Sequence, residues 1–109
     1  MQTKPGRGSA TPWGIAEVAK TYTDGIVYVV AETGGGFWID ATRQATLPDA
    51  IQPRHGRCWF EQNTEEWVLF LAFEDMPHRE MFMSSATRTL KESFPAWLEA
   101  LQREGLAIA

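Results

Sequence analysis

In the first third of the chain, the apolar residues are spaced as they are in β-strands. Residues 15–22 alternate loosely between apolar and polar side chains. Residues 25–30 are β-branched or aromatic on both faces, which is typical of a central strand. An Asp-Gly pair between these segments suits a hairpin turn, and residues 33–36 (Thr-Gly-Gly-Gly) predict a second turn before a strand that opens at Phe37. The pattern therefore predicts an antiparallel β-meander.

The spacing then changes towards helices. Residues 40–47 predict a short helical turn, and residues 57–61 predict either a fourth strand or the entry into the next helix. Residues 67–73 are apolar on every side, which fits a buried helix or a buried strand. A helix is favoured because Asn63 can cap its first turn while the carboxylate of Glu66 reaches back.

The last apolar stripe has helical spacing. Its members are Leu90, Phe94, Trp97, Leu98 and Leu101. They predict a helix that begins near Ser84 or Ser85. Pro95 would cost about 3 kcal/mol inside a continuous helix, so we expect a kink or a break at Phe94. The predicted fold class is α+β: an antiparallel three- to four-stranded β-meander followed by a buried helix and a kinked or split C-terminal amphipathic helix.

The chain has 109 residues, which is the size of one domain. We assign the domain to residues 12–105. Residues 1–11 hold no large aliphatic or aromatic side chain beyond Met1 and are predicted to form a flexible N-terminal arm. Residues 106–109 are predicted to be a frayed tail. Five Trp and six Phe supply enough apolar surface for a core, so no cofactor is expected for stability.

Composition limits the classes of function. The net charge of −4 argues against direct binding of nucleic acid, which needs a basic surface. Cys58 is the single cysteine, as suits a reducing compartment. No signal peptide or membrane span is visible, so a cytoplasmic protein is expected.

No catalytic or metal-binding pattern is found. Residues 34–36 are all glycine, but they join two predicted strands and no phosphate-loop lysine follows them. His55, His78 and Cys58 lack the spacing of a zinc site. An enzyme using His55 and Cys58 is the least supported alternative, because three positions apart on a strand they would face opposite sides. We therefore expect a protein that is not an enzyme and holds no metal or cofactor.

Two surfaces are candidates for binding a partner. The segment 61–80 holds six acidic residues against one arginine. Its candidate partner-binding residues are Glu61, Glu65, Glu74, Asp75 and Glu80. Helix capping and solvation explain Glu65 without a partner, whereas Glu74, Asp75 and Glu80 have no such explanation. The second candidate is an aromatic patch of Trp38 with Tyr28, which forms if one face of the meander is open and otherwise belongs to the core.

Three short motifs resemble those of an uncharacterised small domain carried by phage and plasmid proteins. They are Thr11-Pro12-Trp13-Gly14, Gly25-Ile26-Val27 and Gly35-Gly36-Phe37. The resemblance spans roughly residues 11–98 and implies a mobile genetic element as the context. This chain has Thr33-Gly34 where that domain has Ser-His. The resemblance implies no activity for any residue.

Small acidic proteins of mobile genetic elements often act by binding to the surface of a host protein, so we expect this chain to be a binding protein. The expected function is inhibition of a host defence system, in the manner of an anti-CRISPR protein, by steric block or nucleic-acid mimicry. The expected partner is a host protein, such as a basic nucleic-acid-binding effector complex. The alternative is a structural or regulatory accessory protein of the phage or plasmid, acting as a homodimer or larger homo-oligomer.

Overall fold

A computed structural model describes residues 3–106; residues 1–2 of the predicted arm and 107–109 of the predicted tail lie outside them. The strands are β1 (Ala10–Thr11), β2 (Gly14–Thr23), β3 (Ile26–Ala31), β4 (Gly34–Ile39) and β5 (Trp59–Glu61). The helices are α1 (Ala41–Thr46), α2 (Trp67–Ala72), α3 (Arg79–Ser93) and α4 (Pro95–Arg103). Each strand pairs antiparallel with the next, in the order β1-β2-β3-β4-β5. The predicted α+β fold is confirmed, with one strand more than expected.

The run of three glycines lies inside β4, not in the turn that precedes it. The turn is formed by Glu32 and Thr33. A Cβ on Gly36 would overlap the carbonyl oxygen of Phe60 and approach the indole Cη2 of Trp13 to 2.6 Å. The glycines are therefore needed because the Trp13 ring and the backbone of β5 come so close to β4.

The main core lies between one face of the sheet and the helices. Phe37 pairs with Phe60 across β4 and β5, and both are buried against α2, α3 and α4. The helices contribute the following buried residues: Val68, Leu69, Phe70, Leu71, Ala86, Leu90, Trp97, Leu98 and Leu101. All seven residues of the segment 67–73 thus pack in the same core, as expected for a segment that is apolar on every side.

The opposite face of the sheet is covered as well. Trp38 is only 4% exposed and belongs to a second cluster with Trp13, Val27, Val29 and Cys58. The rings of Trp13 and Trp59 meet edge to face, with centroids 5.7 Å apart. Of the two alternatives for Trp38, the structure therefore supports the core position and not the open face, because Trp13 is folded back over the glycines of β4.

The helical predictions are confirmed with shifted ends. Residues 67–72 form the helix α2 rather than a strand, and Phe94 separates α3 from α4, with Pro95 in the first turn of α4. The predicted start of α3 near Ser84 was wrong. The helix begins at Arg79, after His78 with a positive φ of 60° and no side-chain cap. No capping residue was present in the sequence to mark that start.

Part of the predicted arm has regular structure. Ala10 pairs with Ile15, the Gly8 N–H donates to the Ala16 carbonyl, and the Ala16 N–H donates to the Ser9 carbonyl, both at 2.8 Å. Hydrogen-bonded structure therefore begins before Thr11. The mobility of the arm stays a prediction.

Candidate functional site: an acidic cleft

A cleft of about 640 Å³ opens where three connecting segments meet. These segments are the β2–β3 turn, helix α1 with its N-cap, and the chain that leaves α2. The cleft is lined by Asp24, Asp40, Thr42, Arg43, Thr46, Ala72, Phe73, Glu74, Asp75 and Leu106. Apolar and charged side chains thus share one concave surface, as is usual for binding sites.

Helix α1 is fixed by its N-cap. The carboxylate of Asp40 accepts a hydrogen bond from the Arg43 N–H at 2.9 Å. This is the standard capping interaction, since it satisfies an amide that has no partner within the helix. The cap sets the direction of α1 and brings the side chain of Arg43 into the cleft.

The side chain of Arg43 connects the segments that form the cleft. Its Nη1 donates to Oδ1 of Asp75 at 2.7 Å, and its Nη2 donates to Oδ2 of the same carboxylate. Its Nε and Nη2 donate to the Asp24 carbonyl at 2.9 and 2.6 Å. The guanidinium also lies 4.9 Å from the ring centroid of Phe73. One side chain therefore joins all three segments.

The opposite charges of Arg43 and Asp75 stabilise each other. The hydrogen bond from Arg43 lowers the pKa of Asp75 to about 2, and a hydrogen bond from the Thr23 hydroxyl at 2.9 Å acts in the same direction. The hydrogen bond to Asp75 in turn raises the pKa of Arg43. Asp75 is therefore ionised at neutral pH and already occupied by an internal cation.

The rim of the cleft keeps unpaired negative charge. Four carboxylates line it (Asp24, Asp40, Glu74 and Asp75) against the single guanidinium of Arg43. Asp24 and Glu74 are exposed. Within residues 3–106, neither carboxylate accepts a hydrogen bond or belongs to a close ion pair, although the charge of Asp24 contributes to the raised pKa of Arg43. The cleft thus presents free acidic groups beside the apolar side chains of Ala72, Phe73 and Leu106.

Two of the predicted acidic residues, Glu74 and Asp75, line this cleft. Glu80 is exposed in the first turn of α3 but does not line it. Glu61 lies elsewhere, with its Oε1 3.8 Å from Nε2 of His55. The five predicted carboxylates therefore do not form one continuous surface.

Glu65 has a structural role. It is 6% exposed, and its two carboxylate oxygens accept hydrogen bonds from the N–H groups of Arg54 and Glu61 at 2.7 and 3.0 Å. Both oxygens are thus used to hold the 52–58 loop and the end of β5 against the start of α2. Glu65 therefore does not belong to the candidate partner-binding surface.

Tyr28 and Trp38 do not form the predicted aromatic patch. Tyr28 pairs with Phe37 on the face of the sheet that meets the helices, and its hydroxyl donates to Gln62 at 2.9 Å. Trp38 pairs with Val27 on the other face. The two aromatic residues therefore lie on opposite sides of the sheet.

Cys58 and His55, the two residues of the enzyme alternative, lie in different surroundings. Cys58 is buried in the second cluster, and burial raises the pKa of its thiol. His55 packs edge to face on Trp13, with centroids 5.6 Å apart. Within residues 3–106, no group of three or more His, Cys, Asp or Glu side chains is placed to hold a metal ion. No helix in the same range is long and apolar enough to cross a membrane.

Of the four carboxylates that line the cleft, Glu74 and Asp75 were identified from the sequence, whereas Asp24 and Asp40 were missed. Asp24 was read as a turn residue and the segment after Asp40 as a short helical turn, and both readings are right as local structure. Nothing in their spacing shows that Arg43 reaches Asp75, which lies 32 positions away. A signal did exist in Glu74 and Asp75, which capping left unexplained.

The fold and the cleft define a small α+β protein with an acidic, partly apolar cleft at one end of an antiparallel meander. The chain belongs to the family described as a domain of unknown function (DUF7007), whose model matches residues 6–108. The match covers nearly all of the described residues, so the cleft is built entirely from the family domain. Neither a search of curated proteins nor a search of solved structures gave a match.

Proposed function

We propose that this protein is a binding module that receives a basic segment of a partner protein in the acidic cleft. The observation that carries the proposal is the combination of free carboxylates, on Asp24 and Glu74, with an apolar wall in one concavity. A basic side chain has an aliphatic stem and a charged head, and both parts find a matching surface there. Binding without catalysis is part of the proposal.

The test is a titration with a short cationic peptide rich in lysine and leucine, followed by amide chemical-shift mapping. The proposal predicts that shifts concentrate around Asp24, Thr42 and Glu74 and weaken as salt is added. Shifts spread evenly over the acidic surface would contradict it, because a general charge effect needs no cleft.

The narrower proposal is that the partner belongs to a host defence system, as for an anti-CRISPR protein. Support comes from the acidic cleft and from the resemblance to a domain of phage and plasmid proteins. Expression in a bacterium immunised by a CRISPR system should restore plaque formation by the targeted phage. Reversing the charges of Asp24 and Glu74 should abolish that effect. If the plaque count stays low with the unaltered protein, this narrower proposal is wrong.

One observation favours the accessory-protein alternative. Ile15 and Val18 are 59% and 49% exposed on β2. Among the described residues, no strand pairs with the outer edge of β2 after Ala16. A homo-oligomer that adds a strand along the open part of this edge would cover Val18, while Ile15 lies where β1 already pairs. Light scattering distinguishes the alternatives, since the accessory role predicts a dimer or larger assembly that Val18→Lys disrupts.

A further inference from the structure

We draw no further inference here: the strongest candidate, the cavity of about 210 Å³ between Trp13, the start of β4 and residues 61–63, carries nothing because the indole N–H of Trp13, which has no hydrogen-bond acceptor among residues 3–106, is closed off from solvent, and nothing in the structure shows what would fill the cavity.

Discussion

Arg43 and Asp75, 32 positions apart in the chain, form a two-pronged ion pair that ties α1 to the segment after α2. The pair forms the back of the acidic cleft, and it neutralises one of the four carboxylates there. Arg43 also interacts electrostatically with Asp40 and Asp24. Its hydrogen bonds go to the Asp75 carboxylate and to the backbone carbonyl of Asp24, so the side-chain carboxylates of Asp24 and Glu74 stay exposed to solvent at the rim.

Replacing Asp75 with Asn should lower the free energy of unfolding by about 1 kcal/mol at pH 7. The value is modest because the side chain of Asp75 is 49% exposed and solvent screens the pair. Chemical denaturation of both proteins measures the difference. A variant as stable as the unaltered protein would show that the ion pair does not hold the cleft together.

The same pair predicts a dependence on pH. The pKa of Asp75 is lowered in the folded state from 3.8 to about 2. A lowered pKa means that the unfolded state binds the proton first, so the stabilisation is present above about pH 4 and disappears towards pH 2. The difference in unfolding free energy between the unaltered protein and Asp75→Asn should therefore shrink over this range. A constant difference from pH 5 to pH 2 would contradict the assignment.

Gly36→Ala should be strongly destabilising, by about 3 kcal/mol. The added Cβ would overlap the Phe60 carbonyl and the Trp13 ring, and neither backbone nor a buried indole can move away easily. Gly6→Ala is the matched control, because a Cβ at Gly6 has nothing within 4 Å. Thermal or chemical denaturation measures both. Equal effects of the two changes would show that the contact between Trp13 and β4 is looser than described.

Glu65→Ala should cost about 1 to 3 kcal/mol, because it leaves two partly buried amide groups without their acceptor. Glu65→Gln keeps one acceptor oxygen and should cost less. Hydrogen exchange at the amides of Arg54 and Glu61 gives a direct readout, since these two groups donate to Glu65. Their exchange should be faster in Glu65→Ala and intermediate in Glu65→Gln. Unchanged exchange would mean that the carboxylate does not hold the loop.

The thiol of Cys58 should react with a disulfide reagent about a hundredfold more slowly in the folded protein than in denaturant. Burial both blocks access and raises its pKa, so little thiolate is present. Absorbance during the reaction measures the rate. Fast reaction of the folded protein would revive the alternative in which His55 and Cys58 carry out chemistry.

The sequence was sufficient for the elements whose signals are local. The strand at residues 25–30, the apolar helix α2 and the break before Pro95 were all predicted, because each depends on residue type and spacing within a few positions. The start of α3 was missed because His78 carries no side-chain cap. Local signals were not always placed correctly: the N-cap position of α2 is Glu66 and not Asn63, and residues 34–36 belong to β4 and not to the turn before it.

The site was harder because it depends on contacts between distant segments. For Trp38 the sequence left a core position and an open face as alternatives, and the structure places it in the core because Trp13 covers that face, a long-range contact that no local pattern records. Glu65 was predicted to be a solvent-exposed acid at the start of a helix. It is buried because it accepts a hydrogen bond from the Arg54 N–H, a contact with another segment that the local sequence does not indicate. Asp24 lines the cleft because it lies in the β2–β3 turn, and nothing in the sequence indicates that this turn lies near Glu74. Residue composition could indicate an acidic surface without locating it.

The proposed binding of a basic partner segment depends on the cleft and not on the overall negative charge. The most direct test is the Kd of the cationic peptide rich in lysine and leucine for two double variants. Asp24→Lys with Glu74→Lys alters the rim, and Glu17→Lys with Glu92→Lys changes the net charge equally at exposed positions away from the cleft. We expect the rim variant to bind the peptide at least about tenfold more weakly, while the control variant loses much less affinity. Equal losses in the two variants would contradict the claim.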